Sequence, residues 1–423
     1  MTRMATTTET PTDSMDRPTA LAPPSLSSRA KARMVSALLI VPLVLFLTLV
    51  FVLPLGGMLV HAVENGEVGE ALPAVAAEMR DWTGGDLPPE SAYAALAGDL
   101  KAAYGDPRLG EASRRLNYER AGYRALLAKT ARAVRGIDRP QADWTAELTA
   151  IDPRWGEPAT WAALRRASPS LTPYYLLTAL DLRMDDSGSI ARAPAEERLY
   201  IDTLGRTLWI GFVTTLLCLV LGFPLAHALV SLPRGFASVL MVCVLLPFWT
   251  SLLVRTSAWI VVLQKEGVLN GLLTRLGIVD APLELVFNRF GLYVAMVHIL
   301  LPFMILPILS VMKGISPSYM RASASLGAHP AVGFLKVYLP MTLPGVGAGC
   351  LMTFIIGVGY YITPSLVGGA RDQMTSYFIA YYANTTINWG LSSALGAILL
   401  ACIMLLYATV GRLIGVGRIA GIQ

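Results

Sequence analysis

The sequence predicts an all-α membrane protein with six membrane-crossing helices and a large polar insertion between the first and second. Three observations predict it. The 423 residues are 54% hydrophobic and only 15% charged, with a mean hydropathy of +0.54, whereas soluble domains run near a quarter charged. Six apolar runs, at about 35–60, 204–230, 236–263, 290–312, 344–368 and 391–415, are each long enough to cross a hydrocarbon layer of about 30 Å. Charge is also segregated. Residues 61–200 carry 17 Lys and Arg against 21 Asp and Glu, while the whole chain is +5, so the tails and short loops hold the positive excess. That is a topology signature and not a nucleic-acid patch.

The elements follow in order. Residues 1–33 read as a disordered cytoplasmic tail, rich in Thr, Pro and Ser and ending in Arg29, Lys31 and Arg33. The run at 34–60 is too long for the core of a signal peptide, so it is expected to be an uncleaved first helix with its N-terminus inside. Residues 61–200 are expected to form a mostly helical extracytoplasmic insertion. Helix-like spacing runs from Glu90 to Leu100, from Leu109 to Val134 and from Thr172 to Leu182. Trp82, Trp144, Trp155 and Trp161 are expected as its core or interfacial anchors. Residues 201–423 form a five-helix core with a cytoplasmic loop at 313–343. Short inside segments hold nine Lys and Arg and short outside loops hold four, which places both termini in the cytoplasm.

Several functions are disfavoured. The six runs contain no Asp or Glu, which counts against a self-powered ion-coupled carrier. The chain has no Gly-x-x-x-x-Gly-Lys-Ser/Thr loop and so no expected nucleotide hydrolysis of its own. Cys218, Cys243, Cys350 and Cys402 all lie in apolar runs without metal-ligand spacing, and the four histidines are scattered. No catalytic residue, cofactor or metal site is expected. The simplest source of work is a separate motor on the cytoplasmic side.

One polar stretch between two apolar runs is shaped to meet such a motor. It reads Met320-Arg321-Ala322-Ser323-Ala324-Ser325-Leu326-Gly327-Ala328-His329-Pro330, with Leu339-Pro340 and Pro344-Gly345 beyond. Small residues allow close approach to a partner. Gly327 permits a turn at positive φ, and Pro330 suits the start of a second helix that Phe334, Val337 and Tyr338 anchor. The pattern resembles the coupling loop of ABC importer permeases. Ala322, Ser323, Gly327, Pro340 and Pro344-Gly345 stand at matching positions, while Arg321 stands where that family usually has a glutamate. Leu246 to Trp259 (LPFWTSLLVRTSAW), Gly359 to Gly369 (GYYITPSLVGG) and Asn388 to Ala394 (NWGLSSA) resemble the spermidine/putrescine-type subunits of that family. Many of those subunits carry an acid where Tyr360 stands.

The resemblance covers the first helix and about residues 200–415, not the insertion. It implies the type I ABC importer permease fold and a place in a bacterial inner membrane. It also implies a second permease subunit, two ATPase subunits that hydrolyse ATP, a periplasmic solute-binding protein, and polyamine or a related organic cation as cargo. Arg321, Ala322, Ser323, Gly327, Ala328 and Pro340 are the expected ATPase-coupling residues. Trp249, Arg255, Tyr360, Tyr361 and Thr363 are the expected pathway residues. For Arg255 a pathway contact and a backbone-carbonyl partner both remain open. For Trp249, Tyr360 and Tyr361 a cation–π contact and plain packing remain open. Three rivals stand: an importer of opine or amino-acid-like solutes, an ion-coupled carrier, and a membrane-anchored sensor using 61–200 as its domain.

Overall fold

The computed structural model describes residues 26–137, 143–185 and 188–414. Residues 1–25 of the expected tail lie outside the described residues, whereas residues from Leu26 onward are already helical. The chain divides into two compact units, Met1–Gly57 and Met58–Gln423. The first is a helix, Leu26–Leu47, continued by a π-helical turn at Thr48–Val52 and by the start of helix Leu53–His61. Its apolar side chains are exposed, as suits a lipid-facing rod. Across the described residues five helices are long and apolar enough to cross a membrane, or six if one bent pair counts as a single span.

The insertion builds its own core. Helices Pro73–Asp81, Glu90–Ala102, Pro107–Glu119, Tyr123–Val134, Trp144–Ile151 and Pro158–Ala167 surround Tyr93, Leu96, Leu116, Leu127, Trp155 and Trp161. Trp161 lies between Tyr93 and Trp155, with ring centroids 4.5 and 5.4 Å away. Both indole N–H groups find acceptors, Trp155 on the Thr130 hydroxyl and Trp161 on the Trp155 carbonyl, each at 2.9 Å. A buried indole needs such a partner. Trp82 and Trp144 pack at the edge of the same core. The expected helix-like stretch over 109–134 is two helices: Arg120 is extended and ends the first, and Gly122 at φ +89°, left-handed, turns the chain into the second. Asp106 and Asp143 cap their helices by accepting from backbone N–H groups. The third expected helix shrinks to Tyr174–Ala179. A two-stranded antiparallel hairpin then pairs Leu182–Met184 with Ile190–Arg192.

The two ends of the insertion are stitched together. Asn65 N–H donates to the Ser170 carbonyl and Thr172 N–H to the Val63 carbonyl, at 2.9 and 2.8 Å. The Asn65 side-chain amide adds bonds to the Ala167 and Pro169 carbonyls. Beyond the hairpin, Asp181 caps helix Tyr200–Ser231. Its carboxylate accepts from the N–H groups of Leu199, Tyr200 and Ile201 at 2.9–3.0 Å. These are groups a helix start leaves unsatisfied, and the negative charge suits the positive end of the helix dipole.

The membrane core rests on three helices: Tyr200–Ser231, Arg289–Gly314 and the 30-residue rod Pro330–Gly359. Glycines set their spacing. On the rod, a Cβ at Gly345 would lie 2.9 Å from Val311, and one at Gly349 would lie 2.8 Å from the Met304 carbonyl oxygen. Gly345 and Gly349 form a Gly-x-x-x-Gly face, the pattern that lets helix backbones meet in lipid. Gly211 and Gly222 do the same for Tyr200–Ser231 against Val358 and Met304.

Two expected boundaries change. The fifth run was expected at 344–368, but the helix begins at Pro330 and ends at Gly359, and Ile362–Val367 is a separate short helix. Much of the expected loop 313–343 is therefore the near end of that rod. The third run was expected as one interrupted helix at 236–263. It bends by 105° between Arg234–Trp249 and Leu252–Arg275. Pro247 supplies no N–H, and Thr250 and Ser251 are extended, so the ladder cannot continue through them.

Gly349→Val should overpack the contact with Met304 and cost about 1–3 kcal/mol. Gly396→Ala, where a Cβ meets nothing within 4 Å, should be neutral or slightly stabilising. Thermal unfolding of the detergent-solubilised chain checks this. Equal falls in Tm for the two variants would contradict the close-packing account.

Candidate functional site

The polar stretch forms a compact helical hairpin. Helix Ser318–Ser325 ends in a left-handed Gly327 at φ +82°. Ala328 N–H donates to the Ser323 carbonyl and Gly327 N–H to the Ala324 carbonyl, at 3.1 and 2.9 Å. This pair of bonds is the Schellman closure, which satisfies the last carbonyls of a helix and needs a residue at ease with positive φ. His329 then caps the rod through Nδ1, which accepts from Ala331 N–H at 3.3 Å, and Pro330 takes the first helical position.

The hairpin has an inner and an outer side. Ser323 is buried against Gly333, where a Cβ would come within 2.8 Å of the Ser323 hydroxyl. Arg321, Ala322 and Gly327 are exposed, Ala328 is half-buried, and Leu326 stands 88% exposed at the tip. The base is anchored as expected. Phe334 and Tyr338 stack at 5.5 Å, and both meet the ring of His227 on helix Tyr200–Ser231, at 5.6 and 5.4 Å. Phe334–Tyr338 is a π-helical turn, which joins the hairpin side of the rod to its membrane side. Pro340 follows this turn, exposed and apart from the hairpin tip.

At the far end of the rod the structure gathers a second group. Arg255 sits on Leu252–Leu263 within electrostatic reach of His298 and Tyr360. Its Nε is buried and has no hydrogen-bond partner among the described residues, so that atom does not make the carbonyl contact that was one of the two open readings. Trp259 Nε1 donates to His298 Nδ1 at 3.1 Å. The buried Thr256 and Thr363 hydroxyls lie 3.3 Å apart, and Ser376 donates to the Tyr360 carbonyl at 2.7 Å. Trp249 is 74% exposed at the corner of the bent pair, and Tyr361 is exposed. No hydrogen bond or ring contact joins either of them to Arg255 among the described residues. Thr256, Trp259 and His298 complete the group. The first two lie inside the stretch Leu246 to Trp259, and nothing in their spacing set them apart from packing residues.

Among the described residues no cluster of His, Cys, Asp and Glu has the makings of a metal site. The buried ionic chemistry is in the insertion. There Arg115 and Glu119 pair at 2.9 Å with side chains 1% and 5% exposed, and Arg166 meets the other oxygen of Glu119 at 3.1 Å. Burial, the largest single influence, would lower the Arg115 guanidinium, but the Glu119 carboxylate together with the Tyr175 and Tyr174 hydroxyls raises it on balance. Burial pushes the Tyr174 hydroxyl beside it up to about 12.

Several proteins of known name match this sequence. The spermidine/putrescine transport system permease protein PotB of Escherichia coli (strain K12) is 31% identical over 219 residues, covering 51% of this chain and 80% of that one. The PotB of Haemophilus influenzae matches at 31%, covering 51% and 77%. The chain belongs to the spermidine/putrescine-type ABC importer permeases. It is a multi-pass inner-membrane transport subunit. The inner membrane ABC transporter permease protein YdcU of Escherichia coli (strain K12) is 34% identical over 181 residues, covering 40% of the permease and 57% of that chain. No family model matches the chain. A bacterial ABC transporter involved in the import of alginate aligns at a TM-score of 0.45 and 15% identity, covering 51% and 78%.

Gly327→Val should strain the closure at positive φ by about 1–2 kcal/mol and loosen the hairpin. Tryptic cleavage after Arg321 in detergent should then speed up severalfold, and an unchanged cleavage rate would count against a rigid hairpin.

Proposed function

We propose that the chain forms half of the channel of an ATP-driven polyamine importer, with six membrane-crossing segments in the type I arrangement. The bent pair supplies the third segment. Both termini and the hairpin at 318–328 lie in the cytoplasm, and the insertion 61–200 lies outside. A second permease subunit, two ATPase subunits and a periplasmic binding protein complete the machine. Selectivity rests largely with the binding protein.

One observation carries this reading: a single rod, Pro330–Gly359, runs from the hairpin to Tyr360. Closure of the ATPases on ATP would push Arg321, Ala322, Ser323, Gly327 and Ala328. The rod, in close backbone contact with Arg289–Gly314 at Gly345 and Gly349, passes that displacement on. Its far end moves Tyr360, Tyr361 and Thr363 against Arg255 and Trp249, switching the bundle between inward- and outward-facing states. This chain performs no chemical step. The relatives named for spermidine and putrescine support the cargo.

The test is reconstitution with the neighbouring ATPase, second permease and binding protein. Spermidine should stimulate ATP hydrolysis and uptake, and Gly327→Pro should abolish both while the protein stays inserted. Uptake driven by an ion gradient without ATP would overturn the reading.

A second reading, an opine or amino-acid-like cargo, is favoured by Arg255. Among the described residues its charge has no acidic partner, and Tyr360 stands at the position where the resembled subunits often carry an acid. The two cargoes separate cleanly. For a polyamine, Arg255→Gln should leave or improve KM and Tyr360→Ala should raise it. For a carboxylated cargo, Arg255→Gln should cut kcat/KM by about tenfold or more, the loss of a charge-assisted bond of about 1.5–3 kcal/mol.

A further inference from the structure

Just before helix Arg289–Gly314 the chain exposes a set of apolar side chains on a well-fixed frame. Helix Val268–Arg275 carries Val268 and Leu272, and Leu276 caps its last turn. Steps of four place these three on one side of a helix. Together with Ile278, Leu283 and Phe287 they are between 43% and 74% exposed. Apolar side chains exposed together on a folded chain mark a contact with something else.

The frame holds them outward. Asn270 is buried on the opposite side of the helix, and its amide donates to the Gln264 and Leu283 carbonyls at 3.1 and 2.9 Å. Leu283 N–H donates back to Asn270 Oδ1 at 2.9 Å. Gly277 at φ +68° closes the helix, with its own N–H on the Thr274 carbonyl and Ile278 N–H on the Leu273 carbonyl. Turning the apolar stripe inward would break these bonds.

Two observations say what covers the stripe. Helix Arg289–Gly314 is long and apolar enough to cross a membrane by itself, so its first residues lie at a bilayer surface. The frame runs directly into that start, where Asn288 caps the helix by accepting from Gly291 N–H at 3.0 Å. Lys265 also pairs with Glu284 at 2.8 Å, four residues before the cap. The second observation is charge. Residues 264–289 carry Lys265, Arg275 and Arg289 against Glu266, Asp280 and Glu284, and the Arg371 and Asp372 beside them add one of each. No net charge is left to draw a charged partner, whereas entry into lipid needs only apolar area.

We propose that helix Val268–Arg275 is a membrane-surface helix, with Val268, Leu272 and Leu276 among the upper acyl chains and Thr274 turned to water. The arm Leu252–Leu263, which carries Arg255, has 12 residues. It is thus about 18 Å long, too short to cross alone. A helix floating at its end sets the depth of Arg255 in the bilayer, whichever cargo passes.

The test is spin labelling of the full-length permease in phosphatidylcholine nanodiscs, with Cys218, Cys243, Cys350 and Cys402 replaced by alanine. The ratio of collisions with dissolved oxygen to collisions with a water-soluble nickel chelate should be severalfold higher for a nitroxide at Leu272→Cys than at Thr274→Cys. Equal ratios would put both faces in water and overturn the proposal. Shielding of Leu272→Cys from both reagents would overturn it too, because protein then covers the stripe. The unsubstituted chain gives an independent measurement. A carbene precursor dissolved in the bilayer should label Val268 and Leu272 as it labels Val220, which is exposed on helix Tyr200–Ser231. Labelling of Val220 with none at 268–276 would contradict the membrane-surface helix.

Discussion

The close approach of two helices through glycine is the constraint on which the rest of the bundle depends. Gly345 and Gly349 bring the backbone of Pro330–Gly359 against Arg289–Gly314 with no room for a side chain. In lipid, apolar burial gives helices little reason to associate, so contact of this kind must hold them. Its mechanical result matters as much as its energy. A rod in direct backbone contact with its neighbour has little room to give, so displacement at one end appears at the other.

Much of this was legible in the sequence, for definite reasons. That several helices are long and apolar enough to cross a membrane followed from hydropathy, because the bilayer sets the length of any element that crosses it. Gly327, Pro330, Phe334 and Tyr338 were legible because each does a local job: a left-handed turn, a helix start, two anchors. Other features depend on distant partners. The rod reaches back to Pro330 because Phe334 and Tyr338 pack on His227, a residue more than a hundred positions earlier. The corner at Thr250 and Ser251 was hidden because Pro247 permits either a kink or a full break. Gly122 splits one periodic pattern into two helices without disturbing the period.

The charges divide the molecule into two chemistries. The membrane part has few ionisable groups, and Arg255 keeps a buried Nε without a partner. The insertion holds a buried cluster in which Arg115 bonds Asn65 and Glu119, and Arg166 from a helix distant in sequence bonds the other oxygen of Glu119. The membrane part meets its polar needs with hydroxyls instead, as between Thr256 and Thr363 or Thr207 and Thr375.

The stitched ends of the insertion have a consequence for how such a protein is built. The backbone leaves at Asn65 and returns at Ser170 within hydrogen-bonding distance. More than a hundred residues are thus added with almost no net displacement of the chain. A domain with adjoining ends and a core of its own behaves as a portable cassette. It can be gained, lost or exchanged between the first two membrane helices while the path of the chain through the bilayer stays the same.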